Sequence, residues 1–166
     1  MFSSILALKS SRLVVAISLA GALLITPSVL AAPASELHLT ATGYIASQTL
    51  CSATEACQES IISGVATQLG RFDAVLVERV NLLDGSFTGT TTLTMPNGDT
   101  IRTISTGQIT STDESGLTHY VEHHEIVGGT GRFAQTTGEF DVVGTADSVT
   151  FELAAVGVGE ILLKGE

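Results

Sequence analysis

From residue 35 onward, apolar and polar residues alternate one by one. In "ELHLTATGYIAS", Leu37, Leu39, Ala41, Gly43 and Ile45 fall on one side, and His38, Thr40, Thr42 and Tyr44 on the other. That period of two marks a strand with one buried face. "SIISGVATQL" and "FDAVLVERVNLL" are further strand candidates, rich in β-branched residues. "SFTGTTTLTMPNGDTIRTISTGQIT" reads as a hairpin. Phe87, Gly89, Thr91, Leu93 and Met95 share one face, and Asn97-Gly98 supplies a reversal that predicts a type I′ turn. "LTHYVEHHEIV", "GEFDVVGTA", "SVTFELAAV" and "GEILL" follow, for about eight strands. No segment past residue 35 has the length and 3.6-residue period of an amphipathic helix.

Strands joined by short turns pair antiparallel, and eight of them remove their free edges best by closing into an up-and-down barrel. A two-sheet sandwich is the competing architecture. Gly43, Gly64, Gly89, Gly107 and Gly144 suit the barrel, whose coiled strands need sharp bends.

The first 31 residues follow another rule. Lys9 and Arg12 precede the uncharged run Leu13 to Ile25, and "TPSVLAAPAS" offers small-residue cleavage sites after Ala31 or Ala34. This is the layout of a secretory signal peptide, too short in its apolar part to span a bilayer. Residues 32–166 are then a single exported domain, periplasmic or extracellular, with no membrane span. Removal of Lys9 and Arg12 takes the formal net charge from −10 to −12. So acidic a chain repels phosphate backbones, which excludes nucleic acid as a partner. At 44% hydrophobic residues, the composition also excludes intrinsic disorder.

Cys51 and Cys57 are the only cysteines. In an oxidising compartment this spacing reads first as a disulfide closing "CSATEAC"; a metal pair or redox-active thiols are the alternatives. Gly129-Thr130-Gly131-Arg132-Phe133-Ala134 matches G-x-G-x-x-A, but the Thr-rich "AQTTGEF" after it opens no helix to hold a pyrophosphate. The triplet Gly-Arg-Phe occurs twice, at Gly70, Arg71, Phe72 and at Gly131, Arg132, Phe133. We read both as corner-and-cap elements. Gly128, Gly129 and Gly131 take left-handed or close-packed conformations, Phe133 drops into the core, and the guanidinium caps carbonyls at the barrel mouth. An arginine pair for an anionic ligand is the alternative. Buried caps would make truncation of Arg71 or Arg132 cost about 2–4 kcal/mol, with Arg102 as a tolerant control.

"IVGGTGRFAQTTGEF" resembles the "VGGTGxF…GxF" signature of the dirigent and allene oxide cyclase barrel superfamily. "GVATQLGRF", "GTTTLTMPNGDT" and "GEILL" resemble its small exported bacterial members. The resemblance implies an eight-stranded barrel with an apolar pocket. In plants, such barrels act on oxylipins or guide phenoxy-radical coupling, often as trimers. The plant dirigent motif runs on into an Arg-Gly pair with the arginine facing the pocket. Here Thr137-Gly138 stands in that place, so that arginine is missing.

"HYVEHHE" is the densest polar cluster. On a strand, His119, His123 and Glu125 share a face with Val121, while Tyr120, Glu122 and His124 share the other. We read it as solvated histidines and acids outside the barrel, with His123 and Glu125 as weak metal candidates and a pocket acid or base as the remaining alternative. Glu78, Asp99, Asp141 and Glu152 read as scattered on polar faces or at strand ends. No nucleophile motif is present, so neither a catalytic nor a ligand-binding residue is assigned, and no cofactor is expected. The expected function is non-catalytic binding of an apolar small molecule. The alternatives are an isomerase or cyclase of the allene oxide cyclase or dirigent type, and a structural surface or matrix protein with a filled barrel. The oligomeric state is not legible.

Overall fold

The structure, a computed structural model, describes residues 34–163. The predicted signal peptide lies outside the described residues. Eight strands follow in chain order: β1 Ser35–Leu50, β2 Glu55–Ala66, β3 Gly70–Asn81, β4 Ser86–Thr94, β5 Thr100–Thr112, β6 Leu117–Gly129, β7 Thr137–Asp147 and β8 Glu152–Leu162. Each pairs antiparallel with its sequence neighbours, and β8 returns to β1, closing an up-and-down barrel. The sandwich is thereby set aside.

The alternation read from sequence is the alternation observed. Leu37, Leu39 and Ala41 of β1, Phe72, Ala74 and Leu76 of β3, and Leu93, Ile101, Phe140 and Val142 of β4, β5 and β7 point inward and are buried. Their intervening partners are exposed. Three register shifts, between Ile45 and Ser47, Arg102 and Thr103, and Ile109 and Ser111, supply the local kinks that let the sheet curl shut.

The inner glycines have a more specific use than bending. Gly64 pairs with Phe72, Gly107 with Phe87, and Gly144 with Tyr120. A Cβ at Gly107 or Gly144 would collide with the aromatic ring on the paired strand. Each ring thus lies over the glycine beside it, and side-chain volume is spread evenly round a narrow interior.

Two local expectations need correction. The reversal after β4 is not a type I′ turn, because only Gly98 of its residues has positive φ, at 89°. Pro96 holds φ near −65°. The chain therefore turns over Pro96-Asn97 with Gly98 N–H donating to Met95 C=O at 2.9 Å, and Gly98 follows as a bulge.

The second correction concerns the arginines. Gly131–Phe133 forms a single 3-10 turn between β6 and β7. Phe133 is fully buried and plugs that end of the barrel, together with Leu37, Ile101 and Ile161. Gly70, Gly128 and Gly131 have φ of 80°, 147° and 54°, while Gly129 packs against Thr100 and Phe133. The guanidinium groups, however, are not buried. Arg132 is exposed; its Nη2 donates to Leu69 C=O at 3.4 Å, and its head stacks on the Phe133 ring at 4.6 Å. Arg71 is exposed beside Val65. The two triplets share a glycine turn and an inward phenylalanine, but among the described residues only the second arginine reaches a carbonyl.

Outside, one rung carries Glu125, Glu139, Glu160 and Glu36 on the adjacent strands β6, β7, β8 and β1. All four are exposed. Two rungs further from this row, Val121, Val143 and Val156 form an apolar row.

With one long hydrogen bond and one stacking contact at stake, Arg132→Ala is expected to cost about 1 kcal/mol rather than the larger figure, and Arg71→Ala less than about 0.5 kcal/mol. Thermal melts of both variants beside Arg102→Ala measure this; equal shifts for Arg71→Ala and Arg132→Ala would contradict the asymmetry.

Candidate functional site

The interior is not filled. A narrow chamber of about 60 Å³ lies toward the Phe133 end, walled by Phe72, Leu93, Phe140 and Val142. A wider one of about 200 Å³ lies toward the turns β1–β2, β3–β4 and β7–β8, reaching Leu82, Ser148 and Phe151. Leu76, Tyr120, Glu122 and Leu153 wall both chambers.

The site forms where polar residues interrupt the apolar inner face. One rung of the barrel runs Gln58, Glu78, Gly89, Ser105, His124 and Phe140 through the pairings of β2 to β7. Gly89 leaves room for its neighbours: a Cβ there would lie 2.9 Å from Ser105 Oγ and 3.0 Å from Glu78 Cγ. The next two inward positions on β6 are Glu122 and Tyr120. Glu78 is 8% exposed, Glu122 4% and His124 5%, which is rare for carboxylates without a compelling use.

Their partners differ. His124 Nε2 lies 3.2 Å from Glu122 Oε2. The same imidazole hydrogen-bonds the Thr103 hydroxyl through Nδ1 at 3.1 Å and stacks on Phe140 with centroids 4.6 Å apart. Glu122 Oε1 is buried with no hydrogen-bond partner among the described residues, as are the hydroxyls of Ser60, Thr91 and Ser105. Glu78 accepts a single hydrogen bond from Gln58 Nε2 at 2.7 Å. Burial, reinforced by the charge of Glu122, raises its pKa to about 7 against the weaker pull of Gln58. Burial also pushes the Tyr120 hydroxyl above its ordinary value, with Glu122 and Glu78 adding to the effect, so Tyr120 stays a neutral donor edge-on to Phe87. The cluster brings together a carboxyl–imidazole contact, a phenol, and in Glu78 a carboxyl that gives or takes a proton near neutrality.

"HYVEHHE" is therefore split between two surfaces. His119, His123 and Glu125 face out, and His123 Nδ1 meets Asp141 Oδ1 at 2.7 Å. Among the described residues no three His, Cys, Asp or Glu side chains gather to hold a metal ion. Tyr120, Glu122 and His124 face in, so reading the whole cluster as solvated is corrected: only half of it is. Glu78 is corrected likewise, since it belongs to the inner row Phe72, Ala74, Leu76, Glu78, Val80. Arg71 and Arg132 stand outside the chambers. Cys51 and Cys57 form a disulfide with Cα atoms 5.6 Å apart, pinning the β1–β2 turn near the wider chamber. Thr137-Gly138 opens β7, and among the described residues no arginine lines either chamber.

No protein-family model matches the sequence, and no curated protein does. Among solved structures, the chain is similar to the pterocarpan synthase dirigent protein GePTS1, at 18% identity and a TM-score of 0.52 over 81% of this chain and 87% of that one. At that identity the likeness bears on the fold: this barrel is dirigent-like.

The Glu78 carboxyl makes stability depend on pH in an unusual direction. In the unfolded chain it ionises at its ordinary pKa of 4.5, while in the fold it holds its proton to about 7. Between those values the unfolded state has already lost the proton, so stability falls as pH rises, by about 3 kcal/mol in all. Asp84, Asp113 and Asp147, held low mainly by hydrogen bonds from their own turns, act oppositely and only in stronger acid. Denaturant melts from pH 4.5 to 8 are expected to show the decline in the native protein and to lose most of it in Glu78→Gln.

Proposed function

We propose that the protein is an exported binding module whose interior takes a small molecule with an apolar body and a polar head. The observation that carries this reading is the placement of Glu78 and Glu122, buried without a cation on Glu78, where an unfilled chamber meets its polar wall. A barrel needs no such groups to stand; replacing them by apolar residues would cost nothing in packing and would relieve desolvation. About 150 Å³ of apolar cavity admits a benzene-sized guest. The wider chamber, at about 200 Å³, thus suits one ring-sized group, with any remainder of the molecule leaving through the mouth. This chamber also argues against the reading as a packed structural barrel.

A second reading, an isomerase or cyclase of the dirigent or allene oxide cyclase type, is favoured by the proton that Glu78 keeps near neutrality. A carboxyl poised in that way can serve as general acid toward a hydroxyl or carbonyl in the chamber, and Tyr120 can donate beside it. The fold shared with a pterocarpan synthase dirigent protein supports small-molecule work of this kind loosely. Export is supported by the disulfide, which persists in oxidising compartments, and by the N-terminal pattern.

Native mass spectrometry of the protein purified from its source is expected to show a bound molecule of small mass. Ala146→Phe, at the wall of the wider chamber, is expected to abolish that adduct while leaving the sheet signature in circular dichroism intact; an adduct that survives this change would place the ligand elsewhere. Export makes a separate prediction: N-terminal sequencing of the mature protein begins at Ala32 or Ser35, and a chain still carrying Lys9 and Arg12 would refute it.

A further inference from the structure

The interior is unbalanced in both charge and hydrogen bonding. Two carboxyls, Glu78 and Glu122, face one imidazole, His124, whose Nε2 is already engaged with Glu122. The described arginines, Arg71, Arg79, Arg102 and Arg132, are all exposed, so none supplies the balancing charge. Glu122 walls both chambers, is 4% exposed, and leaves Oε1 without a partner. Thr91, on the wall of the narrow chamber, adds an unpartnered hydroxyl. The lining thus offers acceptors in excess and lacks a cation. The wider chamber adds three aromatic rings, Phe87, Tyr120 and Phe151, whose faces attract positive charge.

We propose that the head group received by this chamber is a protonated amine, held by Glu78 and Glu122 with its apolar body against Phe87, Tyr120 and Phe151. This rests on the reading of the chamber as a binding pocket. An ammonium carries three donors and no acceptor, enough to reach both carboxyls and one hydroxyl. An alcohol of the same shape has one donor and leaves a carboxylate oxygen unpaired, and a carboxylate would be repelled. The net charge of the chain, −10, draws cations toward the mouth.

Entry of the amine is coupled to proton release. Below about pH 7 the Glu78 carboxyl is protonated. When the ammonium pairs with it, the proton passes to solvent and Glu78 becomes the carboxylate of an ion pair; no bond of the ligand is made or broken. The titratable groups that face Glu78 are Glu122 and Tyr120, with His124 behind Glu122 and Asp147 further out on the wall of the wider chamber. Its neighbours on β2 and β4, Gln58 and Gly89, do not titrate. The ligand's affinity therefore follows Glu78 through neutrality.

Titration calorimetry of the exported protein with benzylamine, benzyl alcohol and benzoate decides between the alternatives, because the three share a ring and differ in head-group charge. At about pH 8 benzylamine is expected to bind at least tenfold more tightly than benzyl alcohol, with benzoate weakest. At about pH 5.5 benzylamine is expected to bind roughly thirtyfold more weakly than at pH 8, releasing close to one proton per ligand in buffers of different ionisation enthalpy. In Glu78→Gln that pH dependence disappears. Benzyl alcohol or benzoate binding as tightly as the amine overturns the cation assignment and leaves the pocket standing. Failure of all three to bind overturns both. The pH series on the native protein needs no variant, so a poorly folded Glu78→Gln does not shield the proposal.

Discussion

Closure between β1 and β8 is the constraint on which everything else rests. Ten positions from Ser35 to Tyr44 pair with Glu152 to Ile161, and these are the residues that would otherwise be two free edges. Closing the sheet does more than satisfy backbone donors and acceptors. It creates an inside, and with it a low-dielectric space in which a carboxyl behaves differently from one on a surface. Glu78 owes its altered acidity to that enclosure first and to Glu122 second. Were β8 to peel away, water would reach the rung from Gln58 to Phe140, and the chemistry would revert to that of ordinary exposed acids.

Within the closed barrel, the placement of large and small residues decides where space remains. Phe72, Phe87 and Tyr120 each lie over a glycine on the adjoining strand. At the far end Phe133, Leu37, Ile101 and Ile161 leave no gap. Toward the turns the wall carries small residues such as Ala56 and Ala146, and the wider chamber opens there. The chamber is a deficit of side-chain volume at one end of a barrel plugged at the other.

Most of the architecture was legible from the sequence because a period of two translates directly into inside and outside. The site was only half legible. On β3 both rows are apolar at their centre: Ala74 and Leu76 inside, Val75 and Val77 outside. The tie is broken at the ends, where Phe72 and Val80 oppose Asp73 and Arg79; that signal was present in the sequence and places Glu78 inside. On β6 the tie is not broken. Its inner row holds Tyr120, Glu122, His124 and Ile126, and its outer row Val121, His123, Glu125 and Val127. Only the register with β5 and β7 chooses between them, and register is a property of the assembled sheet. The exposure of Arg71 was illegible for a similar reason, since identical triplets sit at differently shaped corners.

The row Glu125, Glu139, Glu160 and Glu36 has a consequence on the other side of the wall. Neighbouring strands stand about 4.8 Å apart, so each carboxylate of the row is held closer to the next than the screening length of about 8 Å in physiological salt. Strand pairing forces them together, and the hydrogen bonds that close the barrel at β1 and β8 work against their repulsion. His38 lies 2.9 Å from Glu36 and His123 4.0 Å from Glu139, and salt screens the repulsion that remains along the stripe. Folding of this barrel is therefore tied to the ionic strength of its surroundings through a seam that no ligand needs to touch, and dilution weakens the sheet along the same strands that seal its interior.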